Sequence, residues 1–168
     1  MTKATGPIFD VHFRRRREGV TDYAKRLRLL KGRLPRLVVR RTGRHVIAQV
    51  VEFAGDGDKT VASASSKDIG KLGFAKFSKC NAPSAYLAGR LAARRAVKKG
   101  VKKAVLDLGR QDATKGSILF AAAKGANDGG VEVPLDDSVV PSKDRLEGKH
   151  LKGADGEFAS AVAKIDTS

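Results

Sequence analysis

Two apolar runs rich in β-branched residues, joined by a short turn, constrain the fold of this chain most strongly. Residues 36–41 (RLVVRR) and 44–53 (RHVIAQVVEF) flank Thr42 and Gly43, a pattern typical of a β-hairpin. A turn rich in Gly and Asp follows, and the weaker apolar run 59–65 predicts a third strand. The middle of the chain is therefore predicted to form an antiparallel meander.

Helices and strands alternate in the next part of the chain. Asn81 is a suitable N-cap, and the helix that it starts ends at Gly100. Its many alanines form a surface of small side chains that lets this helix approach a sheet closely. The segments after it predict a strand, a helix and a short strand, over residues 104–108, 117–127 and 131–133.

The whole pattern predicts a single α/β domain with a mixed sheet, in which the antiparallel meander is followed by a β-α-β-α-β run. A chain of 168 residues with 41% hydrophobic content is long enough for one such domain and too short for two. Residues 66–80, which hold two glycines among lysines and phenylalanines, are interpreted as an irregular connection.

Basic residues are concentrated near the N-terminus. Fourteen of the 34 Lys and Arg residues lie in the first 45 positions, against three acids, and Arg14, Arg15, Arg16 and Arg17 are consecutive. Adjacent guanidinium groups repel one another unless an anion is present, and each can bind phosphate oxygens in pairs. The run is therefore typical of nucleic-acid binding, with a solvated charge patch or a localisation signal as the alternatives.

A short basic amphipathic helix is predicted directly after this arm. Tyr23 and Leu27 belong to its apolar stripe, while Lys25, Arg26 and Arg28 occupy other faces. Tyr23 either packs in the core with that stripe or stacks on an unpaired base. Phe13, beside the arginine run, is a second candidate for stacking. We divide the chain into a basic arm (1–20), an RNA-binding α/β domain with this leading helix (21–137) and a peripheral polar C-terminal tail (138–168).

The turn of the predicted hairpin is a second candidate RNA contact. It places arginines and a histidine around a glycine, where backbone N–H groups can also reach a phosphate or a 2′-hydroxyl; an exposed, flexible turn is the alternative. The residues are Arg40, Arg41, Thr42, Gly43, Arg44 and His45.

Other classes of function have weaker support in the sequence. Cys80 cannot form an internal disulfide, and the three histidines lack zinc-ligand spacing, so we expect no metal, cofactor or small-molecule substrate. No apolar run is long enough for a membrane span, which predicts a cytosolic protein. Four carboxylates follow a predicted strand and leave a metal-dependent nuclease as one alternative: Asp107, Asp112, Asp128 and Glu132. A generic DNA-binding module is another, although the basic helix lacks Asn and Gln for base readout.

Several motifs together resemble one known family. They are FRRRREG (13–19), TDY (21–23) with KRLRLL (25–30), PRLVVR (35–40) with HVIAQ (45–49), AYLAGR (85–90), KKAVLDL (102–108), KGANDG (124–129), and PSKDR (141–145) with GKH (148–150). In this order they closely resemble the family of universal large-subunit ribosomal protein eighteen, of the archaeal and eukaryotic type, and the modest length favours archaeal. Thr42 and Gly43 depart from the Ser-Asn that relatives often carry.

The resemblance implies a non-enzymatic cytoplasmic protein of the large ribosomal subunit. Such a protein binds 5S rRNA in the central protuberance and contacts the large rRNA and universal protein five. Carried over to this chain, the 5S rRNA contacts would be the arm, the basic helix and the hairpin turn: Phe13, Arg14, Arg15, Arg16, Arg17, Tyr23, Lys25, Arg26, Arg28, and residues 41–45.

Overall fold

A computed structural model describes residues 6–74, 76–151 and 154–167 of the chain. The helices are α1 (Arg14–Arg17), α2 (Tyr23–Lys31), α3 (Ser66–Lys71), α4 (Ala82–Val97), α5 (Ile118–Asp128), α6 (Lys143–Glu147) and α7 (Ala154–Thr167), with a 3-10 turn at Asp137–Val139. The strands are β1 (Arg36–Arg41), β2 (Val46–Ala54), β3 (Gly57–Ser65) and β4 (Val105–Asp107).

The sheet is mixed, with strand order β3-β2-β1-β4. β1, β2 and β3 pair antiparallel, and β4 pairs with β1 in parallel. Alternation along the strands directs one set of side chains, including Leu37, Val39, Ala48 and Val50, into the core beneath α4 and α5. The predicted α/β class, the meander and the mixed sheet are confirmed.

Helices α4 and α5 cross at very short distance because each has a glycine at the contact. A Cβ atom on Gly89 would lie 2.0 Å from the carbonyl oxygen of Ala122, and one on Gly125 would lie 2.0 Å from that of Tyr86. The small-residue surface of α4 was predicted to approach a sheet. It does pack on β2 and β3, but its closest approach is to the neighbouring helix.

Two local predictions are wrong. The connection 66–80 begins with the helix α3, which Ser65 and Asp68 start with a reciprocal capping box. The segment 131–133 does not join the sheet, since it forms only an isolated parallel bridge between Lys103 and Glu132.

The C-terminal helix α7 contributes to the core from a segment that the sequence suggests is a tail. Ala161 and Ile165 are fully buried, and Phe158 lies with its ring centroid 5.7 Å from that of Tyr86. Asp166 accepts hydrogen bonds from Arg90 and Arg94 of α4. Burial and a hydrogen bond to Asp128 raise the pKa of Tyr86 to about 12. The end of the chain is thus fastened to α4 by both packing and charge.

Candidate nucleic-acid interface

The arginine run forms one exposed helical turn, α1, that contributes nothing to the core. Arg15 donates from Nε to the hydroxyl of Thr21 at 2.9 Å. Arg14, Arg16 and Arg17 make no side-chain hydrogen bond or ion pair with the parts of the chain that the structure describes. Three guanidinium groups therefore point into solvent without an anion to neutralise them.

Aromatic rings accompany these charges. Phe13, which precedes α1, is 77% exposed, and its ring centroid lies 6.2 Å from that of Tyr23 at the start of α2. Tyr23 is half-buried, and α2 has no buried residue at all. Tyr23 is therefore not a core residue, because it is only half-buried and its aromatic neighbour is the exposed Phe13.

Polar contacts, and not an apolar face, hold α2 against the domain. Asp22 caps the helix by accepting from the backbone N–H of Lys25 at 3.0 Å. Lys25 donates from Nζ to the carbonyl of Gly109 at 2.9 Å, and Arg26 forms a bidentate pair with Asp58 at 2.8 and 2.9 Å. Arg28 stays exposed. Lys25 and Arg26 thus already have partners within the protein, whereas Arg28 is directed outward.

The hairpin turn is closed by a side chain and leaves its charges outside. The Thr42 hydroxyl donates to the carbonyl of His45 at 3.0 Å and accepts from its N–H at 3.1 Å. Arg41, Gly43 and Arg44 are exposed, and nothing within 4 Å would meet a Cβ on Gly43. The turn therefore offers two arginines and accessible backbone on a fixed frame.

His45 differs from the arginines beside it. Desolvation, followed by the positive charges of Lys67, Lys79 and Arg44, lowers the pKa of its ring. Its Nδ1 atom is buried and has no hydrogen-bond partner. At neutral pH His45 is therefore an uncharged hydrogen-bonding group in a basic surrounding, and not an additional cation.

One predicted site residue, Arg40, is part of an internal ion-pair network. It donates to both the carboxylate and the carbonyl oxygen of Asp107. The network continues through Arg36, only 3% exposed, which bonds to Asp107 at 3.0 Å and to Asp58 at 2.7 Å. The position of Arg36 inside the fold was missed, because in the sequence it is one more base in a basic segment.

These arginines control the charge state of the two carboxylates. Hydrogen bonding from Arg26 holds the pKa of Asp58 below its usual value. Burial alone would raise the pKa of Asp107, but Arg40 and the N–H of Gly109 outweigh it and lower that pKa as well. Both aspartates are therefore ionised at neutral pH and fixed in the network.

A loop that sequence reasoning missed links the three predicted parts of the interface. The carbonyl of Gly109 accepts from α2, and Arg110 donates to the carbonyl of Gly19 behind the arm. Gln111 donates to the carbonyl of Arg41 at 2.6 Å and accepts from its N–H at 3.0 Å. Residues 109–111 thus bring the arm, α2 and the hairpin turn to one side of the molecule. The sequence feature that could have indicated this loop is the polar pair Arg110 and Gln111, which follows the predicted strand 104–108 after a single glycine.

The carboxylates considered for a nuclease do not form a metal site. Asp107 is bonded to two arginines, Asp128 accepts from the Tyr86 hydroxyl, and Glu132 pairs with Lys103. Among the described residues, no three His, Cys, Asp or Glu side chains are grouped so that they could hold a metal ion. Within the same part of the chain, no helix has the length and apolar character that crossing a bilayer requires.

Comparison with known proteins gives a consistent answer. A model of the family described as ribosomal large subunit proteins 60S L5 and 50S L18 matches residues 8–102. The large ribosomal subunit protein uL18 of Methanoregula boonei is 47% identical over 163 residues, or 97% of this chain and 93% of the relative. The protein of that name from Korarchaeum cryptofilum is 53% identical over 143 residues, covering 85% of this chain and 73% of its own length.

A third relative extends this agreement, since uL18 of Halobacterium salinarum is 52% identical over 159 residues, or 95% of this chain and 84% of its own length. These relatives are ribosomal proteins and not enzymes, and their sources are archaeal. The resemblance in the motifs is confirmed. This chain belongs to the family of large-subunit ribosomal proteins that comprises 60S L5 and 50S L18, and it is of the archaeal type.

Proposed function

We propose that this chain binds 5S rRNA and helps to attach it to the large rRNA in the central protuberance of the subunit. Family membership supports a place in the large subunit, and the exposed basic surface supports RNA as the ligand. The same proposal includes contacts with the large rRNA and with the neighbouring universal protein five, which the resemblance in the sequence implies. The role is structural, without catalysis.

The observation that carries this proposal is that the arginines fall into two classes. Those inside the fold are matched with aspartates, as Arg36 is with Asp58 and Asp107. In the arm and the hairpin turn, five arginines have no hydrogen bond or ion pair for their side chains among the described residues: Arg14, Arg16, Arg17, Arg41 and Arg44. Unmatched guanidinium groups held near one another are suited to closely spaced phosphates.

The two contact regions would act in different ways. The hairpin turn is fixed by the Thr42 hydroxyl and by Gln111, so its backbone is already ordered before its charges meet RNA. The described part of the arm is fastened by few side-chain hydrogen bonds, from Arg15 to Thr21 and from Arg110 to Gly19, so we propose that it takes its final position only on RNA. We propose that Phe13 and Tyr23, whose ring centroids lie 6.2 Å apart, stack on unpaired bases there.

The salt dependence of 5S rRNA binding tests the arm. We expect the variant R14A/R16A/R17A to lower the log–log salt slope by about 2–3, because each lost phosphate contact removes about 0.7–0.9. The matched control K59A/K102A/K143A removes the same charge at exposed lysines that lie outside the proposed interface. It should leave the slope nearly unchanged.

Two results would contradict the proposal. An unchanged slope in the arm variant would mean that these arginines touch no phosphate, and an equal fall in the control would mean that only total charge matters. Recognition of 5S rRNA in particular is tested by competition at near-physiological salt. An unrelated RNA of the same length that competes as well as the 5S transcript would exclude a specific 5S site.

A further inference from the structure

A polar cavity of about 530 Å³ separates α2 from the face of the sheet that α4 and α5 leave uncovered. It exists because α2 is attached at its edges, through Lys25 and Arg26, and buries no side chain against the strands. The volume lies within the range of about 300–1,000 Å³ that is usual for small-ligand pockets. None of the proposed contacts of the arm and the hairpin turn uses the floor of this space.

The floor consists of two rows of side chains across the strands. Val38 of β1 lies opposite Gln49 of β2, and Val51 of β2 lies opposite Thr60 of β3. The irregularity in the β2–β3 pairing beside Val51 is what brings Thr60 to this face, because one extra residue in a strand reverses the direction of the side chains that follow. The floor is therefore half apolar and half hydrogen-bonding.

The polar groups of the floor lack partners. Within the described parts of the chain, the Gln49 amide and the Thr60 hydroxyl make no hydrogen bond. Arg36, which also lines the cavity and is 3% exposed, has a buried Nε atom without an acceptor. Gln49 is half-buried and Thr60 is exposed, so both can meet a ligand in the cavity, and a buried donor such as the Arg36 Nε normally has an acceptor. These three groups are suited to a ligand that brings both donors and acceptors.

The rim of the cavity is mainly cationic, with Asp22 as an acidic member. Arg15 and Arg110 line it from the arm and from the 109–111 loop, and Lys25 lines it from α2. Arg15 uses only its Nε in the bond to Thr21, which leaves its two terminal nitrogens available. An anionic group at this rim would meet positive charge, while a flat ring further in would meet Val38 and Val51.

We propose that this cavity binds one unpaired nucleotide of RNA, with its base over the valine floor and its phosphate at the Arg15–Arg110 rim. This inference rests on the proposed RNA-binding function and adds a base-binding site to it. Gln49 and Thr60 would hydrogen-bond to the edge of the base, and the guanidinium planes around the floor can stack on it. A simple anion would engage the rim alone and leave the unpartnered floor groups as they are.

Titration of the full chain with nucleoside 5′-monophosphates, followed by NMR, tests this site against inorganic phosphate. We expect the nucleotides to shift the backbone signals of Val38, Gln49 and Thr60, and phosphate to shift only those near the rim. The variant Q49A/T60V should bind the nucleotides about 10- to 100-fold more weakly, since each of the two lost hydrogen bonds contributes about three- to tenfold. The same floor residues should crosslink to 5S rRNA that contains 4-thiouridine.

S63A is the matched control. Ser63 lies opposite Gln49 on the same face and is exposed, as Thr60 is, but it does not line the cavity. Its side chain makes no hydrogen bond with the described residues. We expect S63A to bind nucleotides as the unmodified chain does. Since the side chains of Gln49 and Thr60 make no hydrogen bond in the fold, the double variant should keep its melting temperature, which is to be measured alongside.

The proposal is overturned if nucleotides and phosphate give the same shifts, if Q49A/T60V keeps its affinity, or if neither free nucleotides nor the thiouridine RNA reach the floor. Failure of the wider function looks different. In that case 5S rRNA would bind no better than unrelated RNA in every variant, whereas failure of this site alone would leave specific 5S binding and its dependence on Arg14, Arg16 and Arg17 intact.

Discussion

Replacement of Gly125 by alanine tests the closest contact of the fold. Alanine favours a helix interior by about 1 kcal/mol over glycine, so the change would stabilise a helix with open space beside it. At Gly125, however, the new Cβ would lie 2.0 Å from the carbonyl oxygen of Tyr86, well under the 3.0 Å that real Cβ contacts respect. That oxygen belongs to the backbone and cannot rotate away, so α5 and α4 would have to separate by about 1 Å.

Separation of the two helices would loosen the layer of alanines between them. Overpacking costs about 1–3 kcal/mol, and a clash with backbone falls at the upper end of that range. After the gain in helix propensity, we expect the free energy of unfolding to fall by about 2 kcal/mol and the melting temperature by about 4–8 °C. Thermal and urea unfolding followed by circular dichroism measures both.

Gly156 supplies the matched control, because it also lies in a helix, α7, but nothing within 4 Å would meet its Cβ. G156A should therefore leave the melting temperature unchanged or raise it by about 2–4 °C. If G125A were as stable as G156A, the helices would not approach as closely as described. The close crossing of α4 and α5 would then make no measurable contribution to the stability of the domain.

Two further predictions concern charge. D107N should destabilise the protein by about 3 kcal/mol at pH 7, because it leaves the buried Arg36 poorly compensated. Since the pKa of Asp107 is lowered in the folded state, its carboxylate contributes full stability above the ordinary aspartate pKa of about 4 and loses that contribution as the pH falls further. The difference in urea midpoint between D107N and the unmodified chain should therefore shrink towards acid, and a constant difference would refute this. D166N should lower the free energy of unfolding by less than about 1 kcal/mol, because the ion pairs of Asp166 with Arg90 and Arg94 are partly exposed. It should nevertheless speed amide hydrogen exchange in α7. Unchanged exchange there would mean that these ion pairs do not hold α7 against α4.

The sheet could be predicted from sequence because its strands carry strong local signals. The runs around Thr42 and Gly43 are rich in β-branched residues and are separated by a short turn, so the strand pairing follows from neighbouring residues. The helix α3 was missed because its capping box, Ser65 with Asp68, is short and lies before a glycine, where periodicity is weak. The segment 131–133 has strand composition, but its partner Lys103 lies just before β4, and a single bridge forms in place of a ladder.

The candidate interface was predictable in composition but not in the roles of single residues. The exposure of the arm agrees with its lack of an apolar pattern. Composition cannot separate Arg36 and Arg40, which meet Asp107 inside the fold, from Arg41, which faces solvent one residue later. That division depends on pairing with a strand about seventy residues away in the chain, and no local pattern records such a partner.

The attachment of α2 has a consequence for how the protein is prepared. Molar salt is the usual means of stripping nucleic acid from a basic protein, and at 1 M it shortens the screening length to about 3 Å. The same treatment weakens the Arg26–Asp58 pair that fastens α2, while it leaves the apolar contact between α4 and α5 in place. Material purified in that way needs dialysis to low ionic strength before the position of its N-terminal helix is measured.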